Sequence, residues 1–199
     1  MDLNKKQNLA LKRLEYAYKI HGDGLFLGHS GGKDSCVIHH LSSIIMGNNF
    51  KIVHNVKPLL GTSNDKILML TEMHPLTLEF LYTNLLSTNE VVFLHHSNMS
   101  EFIKKNKLTC QVDGARIAEY NRPGKSSNII RNNENVNRLY MKEYEECGIF
   151  NLAIIYPILD WSNNDVFDYL CNNKINFSKE YIVNNEYNDY LRNKDEKGI

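Results

Sequence analysis

The sequence has no surplus of charge of either sign, few cysteines and no long apolar run. Lys plus Arg number 23, and so do Asp plus Glu, so no overall field favours a nucleic acid or an anionic membrane. The 4 cysteines include no C-x-x-C pair, which argues against a disulfide scaffold, a zinc knuckle and an iron–sulfur cluster. A signal-peptide run and a membrane-spanning stretch are also lacking. We therefore expect a reduced, cytoplasmic protein with no membrane association.

Length and composition predict one globular domain. The chain has 199 residues, of which 42% are hydrophobic and 23% charged, as is usual for soluble globular proteins. A chain of this length can bury roughly 70% of its unfolded surface, so its core requires no disulfides. We predict a single domain over residues 1–199. The Asn-rich segment 128–138 is predicted to be a mobile loop, and the polar tail beyond Glu186 is predicted to fray.

Short apolar runs alternate with helical stretches along the chain. The apolar spacing predicts a helix over residues 3–21, a buried helix from Cys36 to Met46 and a helix from near Pro75 to Leu86. Another helix is predicted to begin near Asp165. Strands are predicted at residues 25–28, 51–56, 91–95, 108–112 and 152–156. This alternation predicts an α/β fold: a single doubly wound domain with a five-stranded, mostly parallel sheet and helices on both faces.

A glycine-rich loop joins the first predicted strand to the buried helix, and it reads Ser30-Gly31-Gly32-Lys33-Asp34-Ser35. At such a junction, backbone N–H groups and the positive end of a helix dipole face an anion. Adjacent glycines let the backbone approach a phosphate, the serine hydroxyls can donate hydrogen bonds, and Lys33 adds a positive charge. The Walker A spacing is absent, because Lys33 stands where that motif has a second Gly after Gly28.

This string, preceded by a strand, resembles the PP-loop of the ATP pyrophosphatase superfamily, the adenine nucleotide alpha hydrolases. In that superfamily the loop holds the pyrophosphate leaving group, and attack on the α phosphorus gives an adenylylated product. The carboxylate of Asp34 suits a divalent cation or a helix cap better than direct phosphate contact. A Gly-Gly turn with a capping Asp is the alternative that involves no ligand.

A second string, Gly114-x-Arg116-x-x-Glu119-x-x-Arg122, follows the fourth predicted strand. Two guanidinium groups near the carboxyl edge of a sheet would stabilise a triphosphate or a second anion. A solvated helix face is the alternative interpretation of the same charges.

A third string, Pro-Ile-Leu-Asp-Trp-Ser-Asn-Asn-Asp-Val, covers residues 157–166 and ends the fifth predicted strand. Ser162 is a suitable N-cap, with Asp165 as its partner in a capping box. Asp160, in the same string, is predicted to lie near the mouth of the nucleotide site.

The order and spacing of the three strings resemble the phosphoadenosine phosphosulfate (PAPS) reductase family, over about residues 24–170. The likeness is to ATP-using members that carry Ser-Gly-Gly-Lys-Asp-Ser: the sulfate adenylyltransferase small subunit and the ATPase of DNA phosphorothioation systems. The resemblance implies a place in sulfur metabolism, ATP and Mg²⁺ as cofactors, and transfer of an adenylyl group with release of pyrophosphate. The acceptor stays open between sulfate, a nucleobase and a DNA or tRNA position.

The resemblance also implies the roles of individual residues. Lys33, Arg116 and Arg122 are predicted to be catalytic, and Asp34 is predicted to bind the metal. The predicted nucleotide-binding residues are Ser30, Gly31, Gly32, Lys33, Asp34, Ser35, Gly114, Arg116, Glu119 and Asp160. Because no residue stands out as a general base, catalysis is expected to rest on positioning and electrostatics.

Two alternatives stay open. One is a sulfonucleotide reductase with an external thiol, and the other is a nucleotide-binding subunit that needs a protein partner. A homodimer is also compatible with the motifs. Reductases end in a Glu-Cys-Gly-Leu-His motif, whereas the tail after Leu170 contains only Cys171, with no Gly beside it. Cys147 has such a Gly neighbour but precedes the fifth strand, so a structural role is favoured there.

Overall fold

A six-stranded sheet lies at the centre of the part of the chain that the structure describes. This computed structural model describes residues 1–47, 50–56, 76, 79–80, 91–95, 99–120, 141–143 and 152–195. The strands are β1 (Leu25–Gly28), β2 (Lys51–Val56), β3 (Val91–His95), β4 (Cys110–Val112), β5 (Met141–Glu143) and β6 (Ala153–Ile155). Their order is β3-β2-β1-β4-β6-β5. Neighbouring strands pair in parallel except for β5, which pairs antiparallel with β6.

Helices precede, connect and follow these strands. They are α1 (Leu3–His21), α2 (Lys33–Met46), α3 (Met99–Lys105), α4 (Ile117–Tyr120), α5 (Asn163–Asn172), α6 (Glu180–Val183) and α7 (Glu186–Asp195). The predicted buried helix is α2, which begins earlier than predicted, inside the glycine-rich loop. It ends before Gly47, whose φ of 65° lies in the left-handed region that favours glycine. Over the described residues, no helix combines the length and apolar character needed to cross a membrane.

Both faces of the sheet are covered, because successive side chains of a strand point to opposite sides. Leu25 and Leu27 of β1 belong to the main hydrophobic core, together with residues of α1, α2 and α5. Phe26, between them, packs in a second cluster with Val53 of β2 and Ile103 of α3. Burial of this kind contributes roughly 25 cal/mol per Å² of apolar surface, so the two clusters supply the main driving force for folding.

The predicted fold class is confirmed: the fold is α/β, with a mostly parallel sheet and helices on both of its faces. All five predicted strands are present, but the predicted count of five is wrong by one. The additional strand is β5, Met141-Lys142-Glu143, an antiparallel strand at the edge of the sheet. It has only three residues, two of them charged, which is typical of an edge strand and leaves no apolar alternation to predict it.

The prediction of a fraying tail beyond Glu186 is wrong, because α7 covers most of that segment. Tyr190 of α7 is buried, and its hydroxyl donates to Asp168 Oδ1 of α5 at 2.7 Å. Lys194 Nζ donates to the same carboxylate oxygen at 3.1 Å. The polar composition gave no indication of this contact. A single buried tyrosine with a hydrogen-bonded hydroxyl is enough to fix an otherwise exposed helix.

Two predicted segments lie largely outside the described residues. The Asn-rich loop 128–138 is one of them. The other is the helix from near Pro75 to Leu86, of which Leu76, Glu79 and Phe80 are described and are helical.

The predicted capping box is present at the start of α5. The backbone N–H of Asp165 donates to Ser162 Oγ at 3.2 Å, and the backbone N–H of Ser162 donates to Asp165 Oδ2 at 2.6 Å. Lys6 Nζ of α1 lies 2.5 Å from the same carboxylate oxygen. Burial alone would raise the pKa of Asp165, but hydrogen bonds from Lys6 and Ser162 bring it below its usual value. The box therefore also links α5 to α1.

Loss of the cap should destabilise the protein measurably. We expect Ser162→Ala to lower the free energy of unfolding by about 1 kcal/mol in urea denaturation. Ser43→Ala is the matched control, because Ser43 lies within α2 and its hydroxyl donates only to the His39 carbonyl of the preceding turn, at 3.0 Å. That change should stay within about 0.5 kcal/mol. Equal losses in the two variants would contradict the capping role.

Candidate functional site

The glycine-rich loop lies at the carboxyl end of β1, where the strand order changes direction. β1 pairs with β2 on one side and with β4 on the other. The sheet continues outward from this pair to β3 at one edge and to β6 and β5 at the other. Open α/β sheets bind their ligands at such a switch point. The loop therefore occupies the position at which this class of fold binds a ligand.

The loop is folded by contacts among its own residues. The backbone N–H of Ser30 donates to Ser35 Oγ at 3.1 Å, and the two serine hydroxyl oxygens lie 2.9 Å apart. Gly31 has a φ of 84°, a left-handed value that a residue with a Cβ adopts only with strain. α2 then begins at Lys33, with Gly32 as its N-cap. The loop thus presents the start of a 14-residue helix in a preformed turn.

His29, directly before the loop, supports this turn and was not among the predicted site residues. Its Nδ1 accepts a hydrogen bond from the backbone N–H of Gly31 at 3.0 Å. Burial, together with the nearby His39 and His54, lowers the pKa of His29 to about 3. The ring is therefore neutral at physiological pH, as an accepting Nδ1 requires. Its position beside the loop was the available signal, but exposure would have explained that position equally well.

Arg116 is buried against Asp34 in the first turn of α2. Its Nε lies 2.7 Å from Asp34 Oδ1, and its Nη2 lies 3.3 Å from Asp34 Oδ2. Only 1% of Arg116 is exposed, which excludes the solvated helix face as its environment. Nη2 also donates to Asn163 Oδ1 at 2.9 Å, and Nη1 donates to the Trp161 carbonyl at 3.4 Å. One guanidinium thus joins the start of α2 to the start of α5.

Gly114 allows β4 and α2 to approach each other. A Cβ at this position would lie 3.2 Å from the backbone carbonyl carbon of Asp34, closer than most Cβ contacts. The absent side chain lets the segment after β4 run beside the first turn of α2. Gly114 therefore has a packing role here, and its predicted contact with the nucleotide stays a prediction.

Of the other predicted residues, Glu119 and Asp160 lie in the part of the chain that the structure describes. Glu119 is part of α4, and Arg122 lies outside the described residues. Asp160 lies in the turn between β6 and α5, where its Oδ1 is 2.7 Å from Arg13 Nη1 of α1. The same Arg13 nitrogen donates to the Pro157 carbonyl at 2.7 Å. This contact fixes the turn to α1, and a role of Asp160 in nucleotide binding stays a prediction.

Lys33 is buried between the loop and the C-terminal segment. Its Nζ lies 3.0 Å from Glu186 Oε2 and 3.6 Å from Asp34 Oδ2. It also lies 4.6 Å from the centre of the Tyr181 ring. The backbone N–H of Lys33 donates to the Tyr181 hydroxyl oxygen at 3.2 Å. Tyr181 and Glu186 were missed because nothing in the residue spacing relates the tail to the loop.

The surroundings of Asp34 do not fit a resident magnesium ion. Both carboxylate oxygens face Arg116, and the Lys33 ammonium is a second nearby cation. A metal ion would have to disrupt this buried ion pair, which is costly. Among the residues that the structure describes, no group of three or more His, Cys, Asp or Glu side chains could hold a metal ion. The predicted metal role of Asp34 is not supported by this geometry and stays a prediction.

Solved structures of known proteins share this architecture. The chain is similar to yeast FAD synthetase in complex with FAD, with a TM-score of 0.62 and 15% identity, over 90% of this chain and 61% of that one. It is similar to Candida glabrata FMN adenylyltransferase in complex with ATP, with a TM-score of 0.61 and 13% identity, over 90% of this chain and 58% of that one. It is also similar to a phosphate complex of PAPS reductase from Candida auris, with a TM-score of 0.54 and 10% identity, over 88% of this chain and 84% of that one. The chain has the adenine nucleotide alpha hydrolase-like fold.

The predicted PP-loop, PAPS reductase-like architecture is thereby confirmed at the level of the fold. At these identities, the likeness extends to the adenine nucleotide alpha hydrolase-like fold and no further. The chain spans 61% of the FAD synthetase structure and 58% of the FMN adenylyltransferase structure. No family model matches the chain, and no curated protein matches it.

The buried contact between Arg116 and Asp34 predicts a large effect on stability. Arg116→Ala leaves the Asp34 carboxylate without its main partner, so we expect the free energy of unfolding to fall by about 3–5 kcal/mol in urea denaturation. Arg116→Lys keeps the charge but loses the planar fork and should recover only part of this loss.

Arg192→Ala provides the matched control. The Arg192 side chain is 71% exposed and pairs with Asp189 on α7. Its loss should change the free energy of unfolding by at most about 1 kcal/mol. An equally small loss in Arg116→Ala would contradict the structural role of the buried pair.

Proposed function

We propose that this chain binds ATP at the PP-loop and cleaves it between the α and β phosphates, transferring the adenylyl group to an acceptor. The observation that carries the proposal is the preformed loop at the switch point of the sheet, with Lys33 at the start of α2. Enzymes with this fold include an FMN adenylyltransferase in complex with ATP and a PAPS reductase in complex with phosphate. The ATP and the phosphate in these two complexes support an anion-binding loop in this fold.

In this proposal, the loop holds the leaving pyrophosphate. The first N–H groups of a helix have no partner within the helix, and the helix dipole adds positive potential there. The backbone N–H groups of Gly32 and Lys33 would donate to phosphate oxygens, while the Gly31 N–H stays bonded to His29 Nδ1. Lys33 Nζ and the hydroxyls of Ser30 and Ser35 would complete the set. Magnesium supplies charge neutralisation when it arrives bound to the ATP phosphates.

The predicted site residues take three different roles in this proposal. Lys33 would stabilise the negative charge that develops on the departing pyrophosphate. One such charge-assisted contact lowers the activation free energy by about 2–4 kcal/mol. Arg116 would act as a positioning residue, because its guanidinium is engaged by Asp34, Asn163 and the Trp161 carbonyl. Arg122 and Glu119 stay proposed for the acceptor side, since they follow Arg116 along the chain.

Binding of ATP with magnesium, measured by titration calorimetry, tests this proposal. Lys33→Met keeps the length of the side chain but removes its charge, and we expect it to raise the Kd for ATP about tenfold to a hundredfold. Lys12→Met, on the exposed side of α1, is the control and should bind like the wild type. Equal affinity in Lys33→Met and the wild type would refute the role of Lys33. Pyrophosphate release with sulfate or FMN added then tests each as the acceptor.

A further inference from the structure

The helices α6 and α7 are held firmly beside the PP-loop by an aromatic cluster. The Phe167 ring of α5 lies 5.2 Å from that of Tyr190 and 5.4 Å from that of Tyr187. The rings of Tyr187 and Tyr190 stack at 5.7 Å. Because Tyr190 also donates to Asp168, α7 is anchored to α5 by packing and by a hydrogen bond. The beginning of α7 is thereby placed next to the loop.

Glu186, the first residue of α7, places a carboxylate on the loop lysine. Its Oε2 lies 3.0 Å from Lys33 Nζ, and the Lys33 side chain is only 4% exposed. A carboxylate oxygen and a phosphate oxygen are both anionic acceptors for an ammonium group. Glu186 therefore makes the kind of contact with Lys33 that a phosphate oxygen would make.

Tyr181 of α6 makes a second contact of the same kind. Its hydroxyl oxygen accepts from the backbone N–H of Lys33 at 3.2 Å. A Cβ at Gly32 would lie 2.9 Å from that oxygen, so the phenol fills the space above the glycine. Burial raises the pKa of Tyr181, which keeps the hydroxyl neutral. One of the first N–H donors of α2 is thus already satisfied by a side chain.

We propose that Glu186 and Tyr181 form an autoinhibitory cap on the PP-loop. A nucleoside triphosphate must displace this cap before its phosphates can bind. The inference rests on the proposed function, since it requires the loop to be a phosphate site. The Lys33 backbone N–H is a single donor, so it cannot serve Tyr181 and a phosphate at once. The ammonium has three N–H bonds, but the Glu186 carboxylate beside it would repel a phosphate, and burial of the side chain leaves a phosphate no access until Glu186 moves. The apparent affinity equals the affinity of the open loop multiplied by the fraction of molecules in which the loop is open, so the cap weakens binding.

This relation sets the size of the expected effect. A loop that is open in about one molecule in ten binds its ligand about tenfold more weakly than an open loop. We therefore expect Glu186→Gln to lower the Kd for ATP with magnesium, and for inorganic pyrophosphate, by about tenfold in calorimetry. Tyr181→Phe removes only the accepting oxygen and should lower both Kd values by a smaller factor.

Asp189→Asn is the matched control. It removes one negative charge from the same helix, but Asp189 is 60% exposed and pairs with Arg192. It should therefore leave both Kd values unchanged, which separates displacement of the cap from a general loss of negative charge.

The outcomes separate this inference from the proposed function. If the wild type binds ATP and Glu186→Gln binds it equally well or more weakly, the cap is refuted while the proposed function stands. If neither the wild type nor the variants bind ATP or pyrophosphate, both are refuted. Tighter binding in Glu186→Gln and Tyr181→Phe, but not in Asp189→Asn, supports the cap.

Discussion

The buried ion pair between Arg116 and Asp34 is the contact on which the rest of the site depends. A guanidinium and a carboxylate removed from water are tolerated only when each has a well-placed partner. Their contact fixes the first turn of α2 against the segment after β4, and Gly114 permits that close approach. Because Arg116 also binds the start of α5, the glycine-rich loop and the α5 capping box share one rigid support.

Four charged groups at the loop balance one another. Lys33 and Arg116 face the carboxylates of Asp34 and Glu186, with Lys33 in contact with both acids. A buried charge without a partner is strongly unfavourable, so the loop requires a counter-anion for Lys33. Asp34 is committed to Arg116, and Glu186 supplies the exchangeable negative charge. Under the proposed function, a triphosphate would take the place of Glu186 without leaving the lysine unpaired.

Features encoded by neighbouring residues could be predicted from the sequence. The strand followed by Ser-Gly-Gly-Lys-Asp-Ser, the alternation of strands and helices, and the Ser162 capping box each depend on a short stretch of chain. The burial of Arg116 could not be predicted, because it depends on Asn163 and Trp161, far along the chain. The contact of Glu186 with Lys33 joins residues that only the folded α7 brings together. His29 was hidden because its role depends on ring orientation rather than residue type.

A crystal structure of the chain with an ATP analogue that resists cleavage between the α and β phosphates would show directly whether the glycine-rich loop binds the phosphates. We predict that the terminal phosphates bind the backbone N–H groups of Gly32 and Lys33, and that Lys33 Nζ contacts a phosphate oxygen instead of Glu186. A triphosphate bound away from this loop, with the contact between Lys33 and Glu186 intact, would contradict this prediction.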